Sequence, residues 1–287
     1  MVNSILVAID DSQASRSALD VGVNLAKISG AKVKGLYVED TMRLLQWQPA
    51  ELIGSAIGVS SGLPQSKPTE EQIEIEREYA AEGNLLKSLF EKACGDFKIQ
   101  GNFSIMRGKV DEVISQASRT VDIVVIGRRG RSYPIDSMEP GPVTENLLRH
   151  ATRPVLVVPV GGKLTNKILF AYDGSETAQR ALSAGAQFAK ILPAEVEVVS
   201  VADDIDRADN YLNEAKEFLL SYKVKATYIV EFGSTKPWKG IMDQAKNFEA
   251  GLIVIGAFGS NMLMEMIFGS TTREILSQAT CPVLLCK

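Results

Sequence analysis

The chain has 287 residues, which is long enough for two domains that each bury a core without disulfides or a structural metal. Its net charge of −4 is divided evenly: positions 1–160 hold 18 basic and 20 acidic residues and the rest 13 and 15, so neither half is expected to bind nucleic acid. No apolar run is long enough to cross a bilayer and no basic leader precedes the first strand, so we expect a cytoplasmic protein without membrane contact.

In chain order, short apolar runs alternate with segments of helical periodicity, starting with a strand over 4–9 and a helix that begins at Ser12 and stops at Gly30. Residues 47–68 are rich in Gly, Ser and Pro and are predicted to form a surface loop. The remaining predictions up to residue 160 are strands over 33–38, 101–106, 121–126 and 155–160 and helices over 70–93, 111–119 and 143–150.

The rest of the chain shows the same alternation after a short linker over 161–165. Its predicted strands, with helices between them, cover 167–172, 195–201, 225–230, 251–255 and 283–286. Continuous apolar strands separated by helices indicate a parallel sheet covered on both faces, and right-handed crossovers limit its topology. The sequence therefore predicts an α/β fold of two tandem, five-stranded, doubly wound domains with parallel sheets.

The two halves of the sequence also repeat each other. Asp10 corresponds to Asp173 at an offset of 163 residues, whereas Gly108 corresponds to Gly233 at an offset of 125, so the first copy holds 163 − 125 = 38 extra residues. This tandem duplication predicts a first domain over 1–160, with an insertion at about 41–80, and a second domain over 166–287.

A glycine pattern follows the fourth strand of the second half. Gly256 and Gly259 are followed, after nine residues, by Gly269, Ser270 and Thr271. A strand that ends in glycines and continues as a helix leaves unpaired backbone N–H groups around a corner, which suits a phosphate chain. The alternative is turn chemistry for the glycines and a helix cap for Ser270.

These residues resemble the universal stress protein family, whose ATP-binding members carry Gly, two residues, Gly, nine residues, Gly and then Ser or Thr. The resemblance covers both halves and implies an adenine nucleotide alpha hydrolase-like fold. It also implies that Asp173 faces the ribose or adenine, that backbone groups around Val201 read the adenine edge, and that the glycine pattern holds the phosphates. A Mg²⁺ or Mn²⁺ ion would then reach the protein mainly through phosphate oxygens. For Asp173, the alternative is a turn that caps the next helix.

The corresponding first-half positions are Asp10, Val38, Gly127, Gly130 and Gly141. Here the pattern is damaged, because ten residues separate the last two glycines and a proline follows instead of Ser or Thr. Proline has neither an N–H nor a hydroxyl group, so we expect weaker or absent ATP binding in this half.

Three arginines in the first-half loop offer a counter-argument. Arg128, Arg129 and Arg131 could replace the lost donors by charge-assisted contacts with phosphate, or they could form a solvated basic loop. The sequence alone favours the solvated loop.

No catalytic or metal-ligating residues are predicted. The chain has one histidine, His150, and three cysteines without zinc-site spacing, and no Gly-Lys-Ser or Gly-Lys-Thr follows the glycines as in a P-loop NTPase. Because no general base is evident near the motif, any ATP hydrolysis should be slow.

The resemblance thus implies a nucleotide-dependent stress-response sensor or regulator whose partner is an adenine nucleotide. Two alternative hypotheses are a nucleotide-free interaction scaffold of the same fold and an ATP-using ligase or nucleotidyltransferase. In the family, domains pair through their last strands, which implies an intramolecular pseudo-dimer through 155–160 and 283–286, and a homodimer of the whole chain is a further expectation. The apolar stretch 262–268 is expected to pack on another domain or to cover the nucleotide.

Overall fold

The computed structural model describes residues 2–45, 69–131, 139–233, 236–257 and 269–287. The elements of the first half are β1 (Ser4–Ala8), α1 (Gln13–Ser29), β2 (Lys32–Asp40), α2 (Thr41–Leu45), α3 (Glu70–Asp96), β3 (Gly101–Gly108), α4 (Val110–Ser118), β4 (Ile123–Gly127), α5 (Pro142–His150) and β5 (Val155–Val158). Those of the second half are β6 (Lys167–Ala171), α6 (Glu176–Ile191), β7 (Glu195–Ala202), α7 (Ile205–Ser221), β8 (Thr227–Phe232), α8 (Pro237–Asn247), β9 (Leu252–Gly256), α9 (Ser270–Gln278) and β10 (Val283–Cys286).

The strands form one ten-stranded sheet in the order β3-β2-β1-β4-β5-β10-β9-β6-β7-β8. Neighbouring strands are parallel within each half, and β5 pairs with β10 in the antiparallel sense, with Leu156 opposite Leu284. The tandem, doubly wound α/β architecture predicted from the sequence is confirmed. In each half the chain order reverses beside the first strand, which is where open α/β sheets bind ligands. Among the described residues, no helix combines the length and apolar character needed to cross a membrane.

Many element boundaries differ from the sequence predictions by one to three residues; β5, for example, covers Val155–Val158 rather than 155–160. β8 begins at Thr227 rather than 225, because the chain is still completing the end of α7: Val224 N–H donates to Leu219 O at 2.9 Å, and Lys223 has a φ of 59°. Helix α3 continues to Asp96. The loop predicted over 47–68 lies outside the described residues.

Helix α3 packs along one side of the first-half sheet. It begins with a capping box in which Thr69 and Gln72 each accept a backbone N–H from the other. Its buried residues recur at three- and four-residue intervals and are Ile75, Tyr79, Gly83, Leu86, Phe90 and Cys94. Each large side chain in this row contributes about 1.5–3 kcal/mol by its burial. The packing holds the start of α3 beside the carboxyl end of β2, where the Tyr79 hydroxyl donates to Asp40 O at 2.9 Å.

A buried arginine joins the two halves beside the antiparallel strand pair. Arg128, which follows β4, is 6% exposed, and its Nη1 donates to the carbonyl oxygens of Leu276, Ser277 and Ala279 at 2.9, 3.0 and 3.1 Å. These carbonyls lie at the carboxyl end of α9, where a cation is favoured by the helix dipole. Arg128 therefore fits neither expectation from the sequence, since it contacts the other half rather than phosphate or solvent.

We predict that Arg128→Met lowers the free energy of unfolding by about 2 kcal/mol, because three carbonyl oxygens lose a charged donor. Urea unfolding of the full chain followed by circular dichroism measures the change. Arg153→Met, at an exposed position of the same half, is the control and should change stability by no more than about 0.5 kcal/mol. Equal losses in the two variants would contradict the role assigned to Arg128.

Candidate functional site

The carboxyl ends of β1, β2 and β4 and the amino end of α5 surround a cavity of about 570 Å³, here called the first corner. Its volume lies within the range of small-molecule sites. The five first-half positions singled out from the sequence all line it: Asp10, Val38, Gly127, Gly130 and Gly141. The structure thus brings these positions together around one space.

Asp10 connects the start of α1 to the glycine loop. Its Oδ1 accepts the N–H of Ser12 at 3.0 Å, and its Oδ2 accepts the N–H of Arg131 at 3.1 Å. A Cβ atom on Gly130 would lie 2.8 Å from the same Oδ2, so the loop passes close to the carboxylate. Both oxygens of Asp10 are therefore engaged in holding the corner together.

The glycine that ends β4 permits close packing against α1. A Cβ atom on Gly127 would lie 2.7 Å from the carbonyl carbon of Ala14 and 2.8 Å from the backbone nitrogen of Ser15. Because those are backbone atoms, they cannot move aside as a flexible side chain would. Gly127 also accepts a 3.1 Å hydrogen bond from the buried hydroxyl of Thr144, which fixes α5 against the strand end.

Helix α5 directs its amino end toward the first corner. Its N-cap is Gly141, no side chain caps it, and Pro142 occupies the first turn. The N–H of Gly141 donates to Arg128 O at 2.9 Å. An uncapped helix start is suited to an anion, but the proline removes one of its N–H donors.

A hydrogen-bonded group centred on Glu82 of α3 closes one side of the cavity and was not predicted from the sequence. Glu82 Oε2 accepts from the Tyr37 hydroxyl at 2.8 Å and from Arg131 Nη1 at 2.7 Å, and Arg131 lies 3.6 Å from Asp11. Burial, followed by the hydrogen bond to Glu82, raises the pKa of Tyr37. Burial by itself lowers the pKa of Arg131, but the negative charges of Glu82 and Asp11 have the larger effect, so the pKa of Arg131 is raised.

The second corner is formed by the carboxyl ends of β6, β7 and β9 and the amino end of α9. Asp173 follows β6 and accepts from the N–H and hydroxyl of Ser175 at 3.1 and 2.6 Å, which agrees with a turn-and-cap role. Val201 is half-buried in β7, and Gly256 ends β9. β6 lies between β7 and β9 in the sheet. Asp173, Val201 and Gly256 therefore lie at the carboxyl ends of three adjacent strands.

Helix α9 begins at the second corner as α5 begins at the first. Gly269 is its N-cap without a side-chain cap, and Ser270 and Thr271 open the helix. The buried hydroxyl of Thr272 donates to Ala257 O at 2.9 Å, matching the first-half contact of Thr144. Gly259 and the apolar stretch 262–268 lie outside the described residues.

A Tyr-x-x-Glu segment recurs beside each corner. This repeat is the feature of the sequence from which the Glu82 group could have been predicted. Tyr79 and Glu82 lie on α3, and Tyr211 and Glu214 lie on α7. Glu214 accepts from the Tyr172 hydroxyl at 3.2 Å, and burial, then Glu214, raises the pKa of that tyrosine to about 12. Each half thus places a helix glutamate against a tyrosine, which lies within β2 in the first half and directly after β6 in the second.

The histidine and the cysteines differ in exposure. His150 is exposed at the last residue of α5, and the three cysteines are buried and free. Burial raises the pKa of Cys281 to about 11, which keeps its thiol protonated and unreactive. Within the described ranges, no group of three or more His, Cys, Asp or Glu side chains could hold a metal ion.

With this geometry in hand, comparison with known proteins identifies the family. The sequence model of the universal stress protein family matches residues 1–159 and again residues 165–287. The chain belongs to the universal stress protein family. The double match gives it the tandem, two-domain form.

Individual relatives agree with this assignment. Universal stress protein Slr1230 of Synechocystis is 24% identical over 293 residues, covering 99% of each chain. Universal stress protein YxiE of Bacillus subtilis is 30% identical over 146 residues, which is 42% of this chain and 97% of YxiE. The crystal structure of a universal stress protein from Archaeoglobus fulgidus has a TM-score of 0.74 at 21% identity, covering 100% of this chain and 99% of that one, so the fold is shared across both halves.

We predict that Gly256→Ala destabilises the protein by about 1–3 kcal/mol, because overpacking against backbone cannot relax easily. The added Cβ would lie 2.7 Å from the backbone nitrogen of Ala178 and 2.8 Å from the carbonyl carbon of Thr177. Thermal unfolding measures the change. The control is Gly95→Ala near the end of α3, where a Cβ meets nothing within 4 Å and the substitution should be neutral or stabilising. A neutral Gly256→Ala would show that this close approach is not a constraint.

Proposed function

We propose that the protein binds ATP at its second corner and acts as a nucleotide-dependent sensor or regulator in a stress response. The observation that carries the proposal is the start of α9 at Ser270, behind a glycine N-cap with no capping side chain, after the glycine spacing typical of ATP-binding family members. Such a helix start offers free N–H groups and the positive end of a dipole to a phosphate chain. Family membership supports the choice of an adenine nucleotide.

In this proposal, different residues of the second corner contact different parts of ATP. Asp173 meets the ribose or adenine, and backbone groups around Val201 meet the adenine edge. Backbone N–H groups at Gly256 and Gly259 hold the phosphates together with the start of α9, whose contributors are Gly269, Ser270 and Thr271. Mg²⁺ or Mn²⁺ would bind mainly to phosphate oxygens.

We further propose that the two halves, 1–160 and 166–287, act as an intramolecular pseudo-dimer. The antiparallel pairing of β5 with β10 supports this arrangement, as does the contact of Arg128 with α9. Arg273 of α9 also lies 3.3 Å from Glu145 of α5, so the helices that begin at the two corners contact each other. Ligand binding in one half could then alter the surface or partner affinity of the whole chain.

We predict that Ser270→Pro weakens ATP binding at least about tenfold. The substitution removes the N–H and the hydroxyl of Ser270, two groups of the protein that would donate to the charged phosphates. Proline is tolerated in the first turn of a helix, and α5 already carries Pro142 there. Isothermal titration calorimetry of the full chain measures the affinity.

Two control variants distinguish the loss of the N–H from the loss of the hydroxyl, and the second half of the chain from the first. Ser270→Ala keeps the N–H and should lose less affinity than Ser270→Pro, whereas Pro142→Ser should leave the main ATP site within about twofold of its original affinity. Two equal ATP sites in the unmodified chain would contradict the assignment to the second corner. The absence of any ATP binding would favour a nucleotide-free scaffold, and release of AMP or pyrophosphate on incubation with candidate substrates would favour a ligase or nucleotidyltransferase.

A further inference from the structure

The charged groups around the first corner neutralise one another. Three carboxylates and three guanidinium groups line the cavity, and they belong to Asp10, Asp40, Glu82, Arg43, Arg129 and Arg131. Arg131 pairs with Glu82 at 2.7 Å and with Asp11 at 3.6 Å, and Arg43 pairs with Glu78 at 2.5 Å. With Asp11 and Glu78 included, carboxylates outnumber guanidinium groups. A triphosphate entering this cavity would meet no surplus of positive charge.

The hydrogen-bond donors of this corner are also reduced relative to an ATP-binding pattern. Pro142 has no N–H at the start of α5. Arg128 follows β4, but its guanidinium donates to carbonyl oxygens of α9 in the other half. The Asp10 carboxylate accepts the backbone N–H groups of Ser12 and Arg131, so these two donors are occupied. The first turn of α5 still presents backbone N–H groups to the cavity, but one fewer than a helix start without proline.

Apart from these charged groups, much of the cavity wall is apolar. Its walls include aliphatic and aromatic side chains, among them Leu36, Val38, Ile114, Ile126, Tyr37 and Tyr79. Arg43 also lines the cavity, and its Nη1 is buried without a hydrogen-bond partner among the described residues. A buried donor without a partner costs free energy unless a ligand supplies an acceptor. Apolar walls beside a set of charges that neutralise one another suit a planar ligand of low charge.

We propose that the first corner binds a nucleoside or nucleoside monophosphate and discriminates against triphosphates, and that Glu82 sets this preference. The choice of an adenine-based ligand rests on the proposed function, whereas the preference for low charge rests on the ion pairs of this cavity. Glu82 neutralises Arg131 and adds negative charge beside the cavity, which disfavours a polyanion. The corner thus differs from the second one in the number of ligand charges it accepts.

The experiment measures adenosine, AMP and ATP binding separately by isothermal titration calorimetry. It uses the full chain carrying Ser270→Pro together with Asp173→Ala, so that both the phosphate contacts and the ribose contact proposed for the second corner are weakened and the first corner dominates the binding observed. Adenosine and AMP should bind at least about tenfold more tightly than ATP. Adding Glu82→Gln should raise ATP affinity about tenfold and leave adenosine affinity within about threefold, because glutamine still accepts the hydrogen bond from Tyr37 but no longer neutralises Arg131.

Glu214→Gln in the same background is the matched control, because Glu214 accepts a tyrosine hydroxyl in the other half. It should change neither affinity. Equal affinities for ATP and adenosine, an unchanged ATP affinity in Glu82→Gln, or no binding of adenosine and AMP would each overturn the inference. If the unmodified chain does not bind ATP, by contrast, this result would contradict only the function proposed for the second corner.

A second measurement needs no variant. Hydrogen exchange of the unmodified full chain, with and without adenosine, should show slower exchange over 36–43, at the carboxyl end of β2 and the start of α2. Unchanged exchange there at an adenosine concentration that saturates binding would also overturn the inference.

Discussion

Both corners depend on how closely the first helix of each half approaches the end of the fourth strand. A Cβ atom on Gly127 or on Gly256 would lie 2.7 Å from backbone atoms in the first turn of α1 or α6. This contact fixes where the chain leaves the strand, so the glycine loop and the start of the following helix share the carboxyl edge of the sheet. In the proposals made above, the side chains added by the rest of each half decide which ligand the carboxyl end of that sheet accepts.

Much of this arrangement could be predicted because it depends on local pattern. Apolar runs and helical periodicity encode the alternating strands and helices, and the internal repeat places equivalent residues at equivalent edges. The carboxyl ends of parallel strands must meet at one side of a sheet, so glycine spacing and strand order were sufficient to gather Asp10, Val38 and Gly141 around one cavity.

The remaining features depend on contacts between residues far apart in the chain. Glu82 meets Arg131, 49 positions away, only because α3 packs with its start beside β2. Arg128 reaches carbonyl oxygens 148 to 151 positions away only because β5 and β10 join the halves. Periodicity indicates which face of a helix is buried, but not which charged group it meets. The same glycine loop therefore carries one arginine that stabilises the junction and another that is neutralised.

The central claim is that the chain presents a phosphate-binding helix start to an adenine nucleotide. The most direct measurement is denaturation of freshly purified full-length protein, identification of the released small molecules by mass spectrometry, and equilibrium dialysis of the emptied, refolded chain against ATP. The account predicts a released adenine nucleotide and recovery of ATP binding. Release of no nucleotide together with no ATP binding by the refolded chain would contradict it.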